Sequence, residues 1–372
     1  LGTFISYYIF YNTNKKMDIF FIYLIFLFLI IQCIQLFSLN SFSIQTFFGT
    51  YLRLLFSYFV VKVLDDEFFI IYLKLMTFFI YISLFFYFIS VLYPGFAVFI
   101  THNIGPYISD PFNNILKYNT NSDIIIFNFH GIVDYNIWWD NPRNSGPFWE
   151  PGAYAGFLII GLYFNYLIHN KFWNRFSLIA IIAIITTFST VGFISLIVFI
   201  IYLGIINIKT NKKSIFYMPI LVLSIILISS MYFYKTDFIF VKIMDQINTF
   251  YSSRVTLDRG EYFIHGTNRF ASAMKDLVDF TDHPIAGLGR NEKTRFKGAH
   301  SDDYLARHRN NGVTDLLATY GIIIFIVYFY LIYKGFRINN KRRSVALVGL
   351  FLIFFLGFSQ QYFRRVFFYS LI

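Results

Sequence analysis

Apolar residues in this chain come in long runs rather than in alternation. The runs lie at about 17–38, 46–64, 68–91, 152–168, 176–189, 192–208, 215–233, 312–333 and 345–359, with short apolar pieces at either end. Several approach the roughly 20 residues that a helix needs to cross a bilayer core of about 30 Å. In that setting every backbone polar group must be satisfied within the segment, which favours helices. The pattern predicts an all-α, polytopic transmembrane helix bundle of roughly 9–11 helices, end pieces included. Leu1 to Tyr11 is too short to span alone and reads as the end of another helix. The chain starts without Met and stops at Ile372 inside an apolar segment, so it is expected to be cut short at one or both ends. No linker, heptad array or repeat divides it, and 1–372 reads as a single membrane domain.

The polar positions between the runs sort into two kinds. Lys15 and Lys16, Lys62, Lys171 and Arg175, then Lys209, Lys212 and Lys213 fall on one side of an alternating topology. Lys334, Arg337, Lys341, Arg342 and Arg343 close the series on that side, which the positive-inside rule makes the cytoplasm. The runs 176–189 and 192–208 are short for two crossings, but charge on both flanks requires an even number. A tight turn near Ser189-Thr190-Val191-Gly192 is expected between them. Two long connections then lie outside the cytoplasm, a first loop at 101–150 and a large, partly helical loop at 234–311.

Composition agrees with the membrane reading. Residues of hydrophobic type make up 57% of the chain and charged ones 14%, against about a quarter charged in soluble domains. Mean hydropathy is +0.58. The 51 Phe and 29 Tyr, alongside much Ile, Asn and Lys, also fit an AT-rich coding sequence, which discounts part of the aromatic excess. The net charge of +11 would suggest nucleic acid in a soluble protein. Here topology-setting loops absorb much of it, and no nucleic-acid partner is expected. One cysteine, Cys33, excludes a disulfide framework within the chain.

The large loop holds seven of the fifteen arginines: Arg254, Arg259, Arg269, Arg290, Arg295, Arg307 and Arg309. It also holds His265, His283, His300 and His308, four of the seven histidines. Lysine suffices as a topology signal, whereas arginine offers a planar fork for phosphate or carboxylate. An anion site is one reading; pairing with the ten acidic residues of the same loop is the other. Thr267 to Phe280 reads as a short amphipathic helix with Phe270, Met274, Leu277 and Val278 on one face and Thr267 as N-cap. Arg269 would then stand in the first turn, where the helix dipole disfavours a cation. A bound anion would explain that placement, as would pairing with Asp258 or Glu261.

The first loop carries Trp138, Trp139 and Trp149, suited either to the membrane interface or to stacking on sugar rings. Arg143 adds a basic candidate there. Glu150, before Pro151-Gly152, can cap the next helix or serve as a general base or hydroxyl anchor. Arg53 interrupts an apolar run, which marks either a functional group or a side chain that snorkels to the surface. His300, Asp302, Asp303 and His308 match no metal-ligand signature, and neither metal nor cofactor is expected. Walker, GxSxG and HExxH motifs are absent from the sequence.

Four short pieces, in order, resemble the O-antigen polymerase/ligase superfamily of bacterial inner-membrane proteins. Phe148-Trp149-Glu150-Pro151-Gly152 resembles its Glu-Pro-Gly element, and Thr186-Thr187-Phe188-Ser189-Thr190 its Thr/Ser turn. Asn268-Arg269, the helix after it, and His283-Pro284-Ile285-Ala286-Gly287-Leu288-Gly289 resemble a Gly-Arg, helix, Pro-x-x-Gly-x-Gly run. Asn311 to Gly321 resembles the element entering the helix after the large loop. Thr190 stands where many ligases carry Arg, and Asn310 where ligases favour His, the nearest histidine being His308. Both departures favour a polymerase.

The resemblance implies a membrane glycosyltransferase at the periplasmic face. It would move a growing glycan from undecaprenyl pyrophosphate onto a new lipid-linked repeat unit. Arg269 and Arg254 are the expected pyrophosphate contacts, with Arg290 and Arg307 as further ones and Arg53, Arg143, Arg259 and Trp149 as additional substrate-binding candidates. Glu150, His300 and His308 are candidates for the base. The expected partners are the lipid-linked oligosaccharide and the bilayer, with a chain-length regulator protein as a further candidate. A ligase handing polymer to a lipid A core, a transporter or flippase of lipid-linked sugars, and a scaffold binding a partner protein are the rival readings. No paired halves of the transporter kind are visible.

Overall fold

A computed structural model describes residues 2–13, 15–40, 43–108, 126–129, 132, 142–207, 248, 269–295, 309–340 and 342–372. The fold is an all-α, polytopic helix bundle, with no strand among the described residues. Helices Ile19–Leu39, Ile44–Leu64, Phe68–Leu92, Pro151–His169, Arg175–Thr187, Thr190–Asn207, Gly312–Asn339 and Arg343–Ser359 stand where the apolar runs predict them. The run at 215–233 lies outside the described residues. Stretches Ile19–Leu39, Ile44–Leu92, Pro151–His169 and Gly312–Asn339 are long and apolar enough to cross a membrane. One difference concerns the start of the first loop. Residues expected to leave the helix at Thr101 remain helical, through Pro94–Phe99, a π-turn Ile100–Ile104 and Gly105–Ile108. Pro94 supplies the preset φ of a first helical turn.

The chain forms two compact units, Leu1–Asp65 with Ile228–Ile372, and Asp66–Leu227. In the first, Ile19–Leu39 and Ile44–Leu64 make a hairpin. Phe21 stacks on Tyr58 at 3.7 Å, and Lys62 pairs with Asp18 at 2.7 Å. Lys15 reaches both Asp65 and the Lys62 carbonyl at the same end. Lys334 lies 3.9 Å over the Phe20 ring, so the far end of Gly312–Asn339 joins this lysine-rich end. These exposed pairs are worth about 0–1 kcal/mol each and mark an end of the bundle more than they stabilise it.

The opposite end of the unit is organised by a break in a helix. Gly312–Asn339 begins under Asn311, whose side-chain oxygen accepts from Val313 N and Thr314 N. At Gly321 the backbone leaves helical geometry, with φ 73° and ψ −179°. The Ala318 carbonyl thereby loses its normal donor, Ile322 N–H, which instead donates to Pro284 O at 2.9 Å. In exchange Leu288 N donates to Ala318 O at 2.9 Å and Gly289 N to Thr319 O at 3.0 Å. The Gln35 side-chain amide donates to Thr319 O and to Ala286 O. The Pro-x-x-Gly-x-Gly run thus satisfies backbone groups that the break exposes, as irregular backbone in a membrane protein requires. The approach leaves no room for a Cβ: one on Gly321 would lie 2.1 Å from Ile285 O, and one on Gly287 2.6 Å from Thr319 O.

The second unit is built round Pro151–His169, which packs against Phe68–Leu92, Arg175–Thr187 and Thr190–Asn207 and is buried along most of its length. A buried polar chain ties it to its neighbour: Asn165 donates to Ser177 Oγ at 3.0 Å, and Asn174 to Asn165 Oδ1 at 2.7 Å. The expected tight turn between the two short helices falls at Phe188–Ser189, slightly before the position read from sequence. Phe188 takes a left-handed conformation, and Ser189 Oγ accepts from Gly192 N at 3.3 Å.

Gly321→Ala combines a left-handed φ with a backbone clash. It is expected to cost roughly 2–4 kcal/mol of stability, seen as a lowered thermal midpoint of the detergent-solubilised protein. An unchanged midpoint would contradict the docked arrangement.

Candidate functional site

Arg290 follows directly on the docked Gly287-Leu288-Gly289 backbone, so its position is set by the helix break. It faces an open cleft whose walls include Gln32, Gln35, Thr46, Thr50, Asn291 and Tyr320. One guanidinium nitrogen donates to the Tyr369 hydroxyl at 2.9 Å, and the group lies 5.4 Å over the Tyr320 ring. Among the described residues its Nε is buried without a hydrogen-bond partner, and no carboxylate lies within ion-pair distance of Arg290. Burial works against the charge, yet Tyr320, Tyr369 and Asp315 outweigh it and hold the pKa above its ordinary value. The guanidinium stays charged.

Other guanidiniums gather near it. Arg364 makes a two-pronged pair with Asp315, 2.8 Å from Nε and 2.6 Å from Nη2, and acts electrostatically on Arg290's surroundings. Arg365 has its pKa pulled down by burial, and by Arg53 and Arg364. Arg53, on Ile44–Leu64, lies close enough to influence both Arg365 and Tyr369. Ser57 on the same helix donates to Val366 O at 2.8 Å, which fixes the C-terminal segment there. Among the described residues, Asp315 is the carboxylate that acts on Arg290 and Arg364, and Arg295 shares it. The cluster therefore carries surplus positive charge, the condition for holding an anion.

Beside it lies a lattice in which charges are matched. Arg295, 2% exposed, reaches Asp276 at 2.5 Å, Asp279, and Asp315 at 3.5 Å. Arg309 reaches Asp276 at 3.0 Å and Asp279 at 3.1 Å. Thr314 Oγ1 donates to Asp276 at 2.8 Å. Burial pushes the Asp276 carboxyl up to about 6, against the lowering by Arg295. This lattice joins the amphipathic helix Arg269–Asp282 to the head of Gly312–Asn339 and, through Arg364, to the C-terminal segment. Arg295 and Arg309 are thus paired with acidic residues of their own loop.

Arg269 begins its helix as expected, and its Nε donates to the Ser359 carbonyl at the end of Arg343–Ser359. A cation at that helix's C-terminus is favoured, which offsets its poor position on its own helix. Its proposed N-cap Thr267 and proposed partners Asp258 and Glu261 lie outside the described residues. So do Arg254, Arg259, His300, Arg307 and His308, and with them the paper metal set. Glu150, Trp149 and Arg143 belong to the second unit. Glu150 occupies the N-cap position of Pro151–His169, but its carboxylate makes no capping bond. Arg143 donates to Thr187 O and Phe188 O, both at 3.1 Å, and so covers the C-terminus of Arg175–Thr187. Sequence reasoning missed Arg364 and Arg365. The available signal was an arginine pair just beyond the last long apolar run, at the end opposite Lys334 to Arg343.

Residues 175–329 match a family model described as O-antigen ligase. Over this stretch, somewhat under half of its length, the chain is similar to the O-antigen polymerase/ligase superfamily. The match takes in the Thr/Ser turn, the amphipathic helix, the Gly-Leu-Gly-Arg loop and the helix break that receives it. Members of that superfamily are membrane glycosyltransferase-like enzymes. No curated protein and no solved structure matches the chain.

Asp315→Ala would leave Arg364 without its two-pronged partner and Arg295 short of one. The expected cost is about 3–5 kcal/mol, read as loss of a cooperative thermal transition or of recoverable folded protein. Retention of the wild-type midpoint would mean that the lattice does not hold these elements together.

Proposed function

We propose that this protein is a surface-polysaccharide polymerase working at the outer face of a bacterial inner membrane. It transfers a growing glycan from undecaprenyl pyrophosphate to a new lipid-linked repeat unit. The carrying observation is Arg290: a charged guanidinium on a docked backbone, without a carboxylate partner among the described residues, near Arg53, Arg364 and Arg365. The acceptor hydroxyl oxygen forms a bond to the anomeric carbon of the donor. The bond from that carbon to the diphosphate oxygen breaks, and the diphosphate leaves with the electron pair. The hydroxyl proton passes to a base or to water. Guanidiniums placed where charge develops on the leaving oxygen lower the barrier without a metal.

Segregation of charge supports the orientation. Lys15, Lys62 and Lys334 share one end of the first unit, and Arg290 and its cleft the other. The lysine end is then cytoplasmic, the arginine end periplasmic. Glu150, His300 and His308 remain the candidates for the base. The ligase reading has one observation in its favour, the description of the matching family model. Thr190 and Asn310, at positions where ligases carry Arg and His, favour the polymerase.

Purified protein supplied with lipid-linked repeat units alone is expected to build a ladder of polymer. Synthesis that starts only when a lipid A core is added would mean a ligase, and no transfer with either acceptor would overturn the enzyme reading. Arg290→Ala is expected to lower the transfer rate by about 100-fold or more, with Arg290→Lys recovering little of it.

A further inference from the structure

The cleft beside Arg290 carries more than charge. Among the described residues no carboxylate lines it; besides Arg290 its polar groups are carboxamides and hydroxyls, among them those of Gln32, Gln35, Thr46, Thr50, Asn291 and Tyr320. Gln32 and Gln35 are three residues apart on Ile19–Leu39 and therefore on one face. Gln35 is nearly buried, and its amide nitrogen is committed to Ala286 O and Thr319 O. That commitment assigns the amide orientation and directs Oε1 toward Gly289, where a Cβ would meet it at 3.1 Å. Among the described residues, Oε1 of Gln35 accepts no hydrogen bond and Oε1 of Gln32 is buried without a donor. On the same cleft, Arg290 Nε is a buried donor without an acceptor among the described residues.

Buried polar atoms are almost always paired, so the unspent carboxamide oxygen of Gln32 and the unspent guanidinium N–H of Arg290, on residues lining one cleft with Gln35, call for a ligand with matching groups. Hydroxyl groups donate to the amide oxygens, and a phosphate oxygen or a hydroxyl accepts from Arg290. A neutral sugar ring attached to a phosphate has both. We propose that Gln32 and Gln35, with Thr46, form a specificity wall that reads hydroxyls of the sugar next to the phosphate held by Arg290. The proposal rests on the reading of Arg290 as a diphosphate contact. Gln35 also braces the docked loop, so its loss would mix recognition with folding. Gln32 has no such second task and is the residue to change.

The test compares two ligands on the full chain in lipid nanodiscs: bare undecaprenyl diphosphate, and the host's lipid-linked saccharide extracted from its membranes. Wild type is expected to bind the saccharide form about tenfold tighter than the bare diphosphate, the worth of one or two good hydrogen bonds. Gln32→Met keeps the shape and removes the acceptor; it should abolish most of that preference while affinity for bare diphosphate holds. Thr46→Val should reduce the preference in the same direction, and serves if the Gln32 variant does not fold. Arg290→Ala should weaken both ligands. A preference that survives both wall variants, or no preference in wild type, overturns the sugar wall. Binding of both ligands that ignores Arg290→Ala overturns instead the diphosphate reading on which it rests.

Discussion

A polar backbone that leaves its helix inside a membrane protein must find new partners, and the break at Gly321 meets that constraint by importing a loop. Ile322 N–H turns to Pro284 O, and Leu288 N–H takes the place it vacates on Ala318 O. Because the exchange is between backbones, it fixes Gly287 to Gly289 with little dependence on side chains. Arg290 is the next residue and inherits that position. A guanidinium on a flexible loop would have to be ordered when its ligand arrives; here the ordering is complete beforehand.

Charge in this unit divides into matched and unmatched groups. Arg295 and Arg309 sit against Asp276 and Asp279, where desolvation without pairing would be costly. Asp315 is the joint between the two groups, since it touches Arg295 from the lattice and Arg364 from the cluster. Arg290 interacts instead with the ring face of Tyr320 and the hydroxyl of Tyr369. Tyrosines temper the charge without cancelling it. The proposed diphosphate site, which would have to release its ligand after transfer, needs that intermediate condition.

The long helices were legible because apolar runs of bilayer length leave few alternatives, and Phe68–Leu92 and Pro151–His169 fall within a residue or so of their runs. The start of the first loop was less so, since the helical turns after Pro94 carry Thr101, His102 and Asn103, which look like loop residues. The candidate site was half legible. Arg290 stood among the arginines of the large loop as a further candidate contact, and Arg269 was marked by its odd position on its helix, where the structure sets it against the Ser359 carbonyl. Which arginines are paired could not be read, because Asp276 and Asp315 meet Arg295 across separations of 19 and 20 residues, and Asp315 meets Arg364 across 49. Gln35 was invisible for the same reason: a glutamine in an apolar run gains meaning only from carbonyls some 250 residues away along the chain.

The most direct measurement is the surface glycan profile of a host from which this gene has been deleted, before and after the gene is restored. The account predicts that the long ladder disappears on deletion, leaving core with a single repeat unit, and returns with the wild-type gene. Loss of every repeat from the core, with long polymer accumulating on the lipid carrier, would contradict polymerisation in favour of ligation. An unchanged profile would contradict a role in assembling the surface glycan.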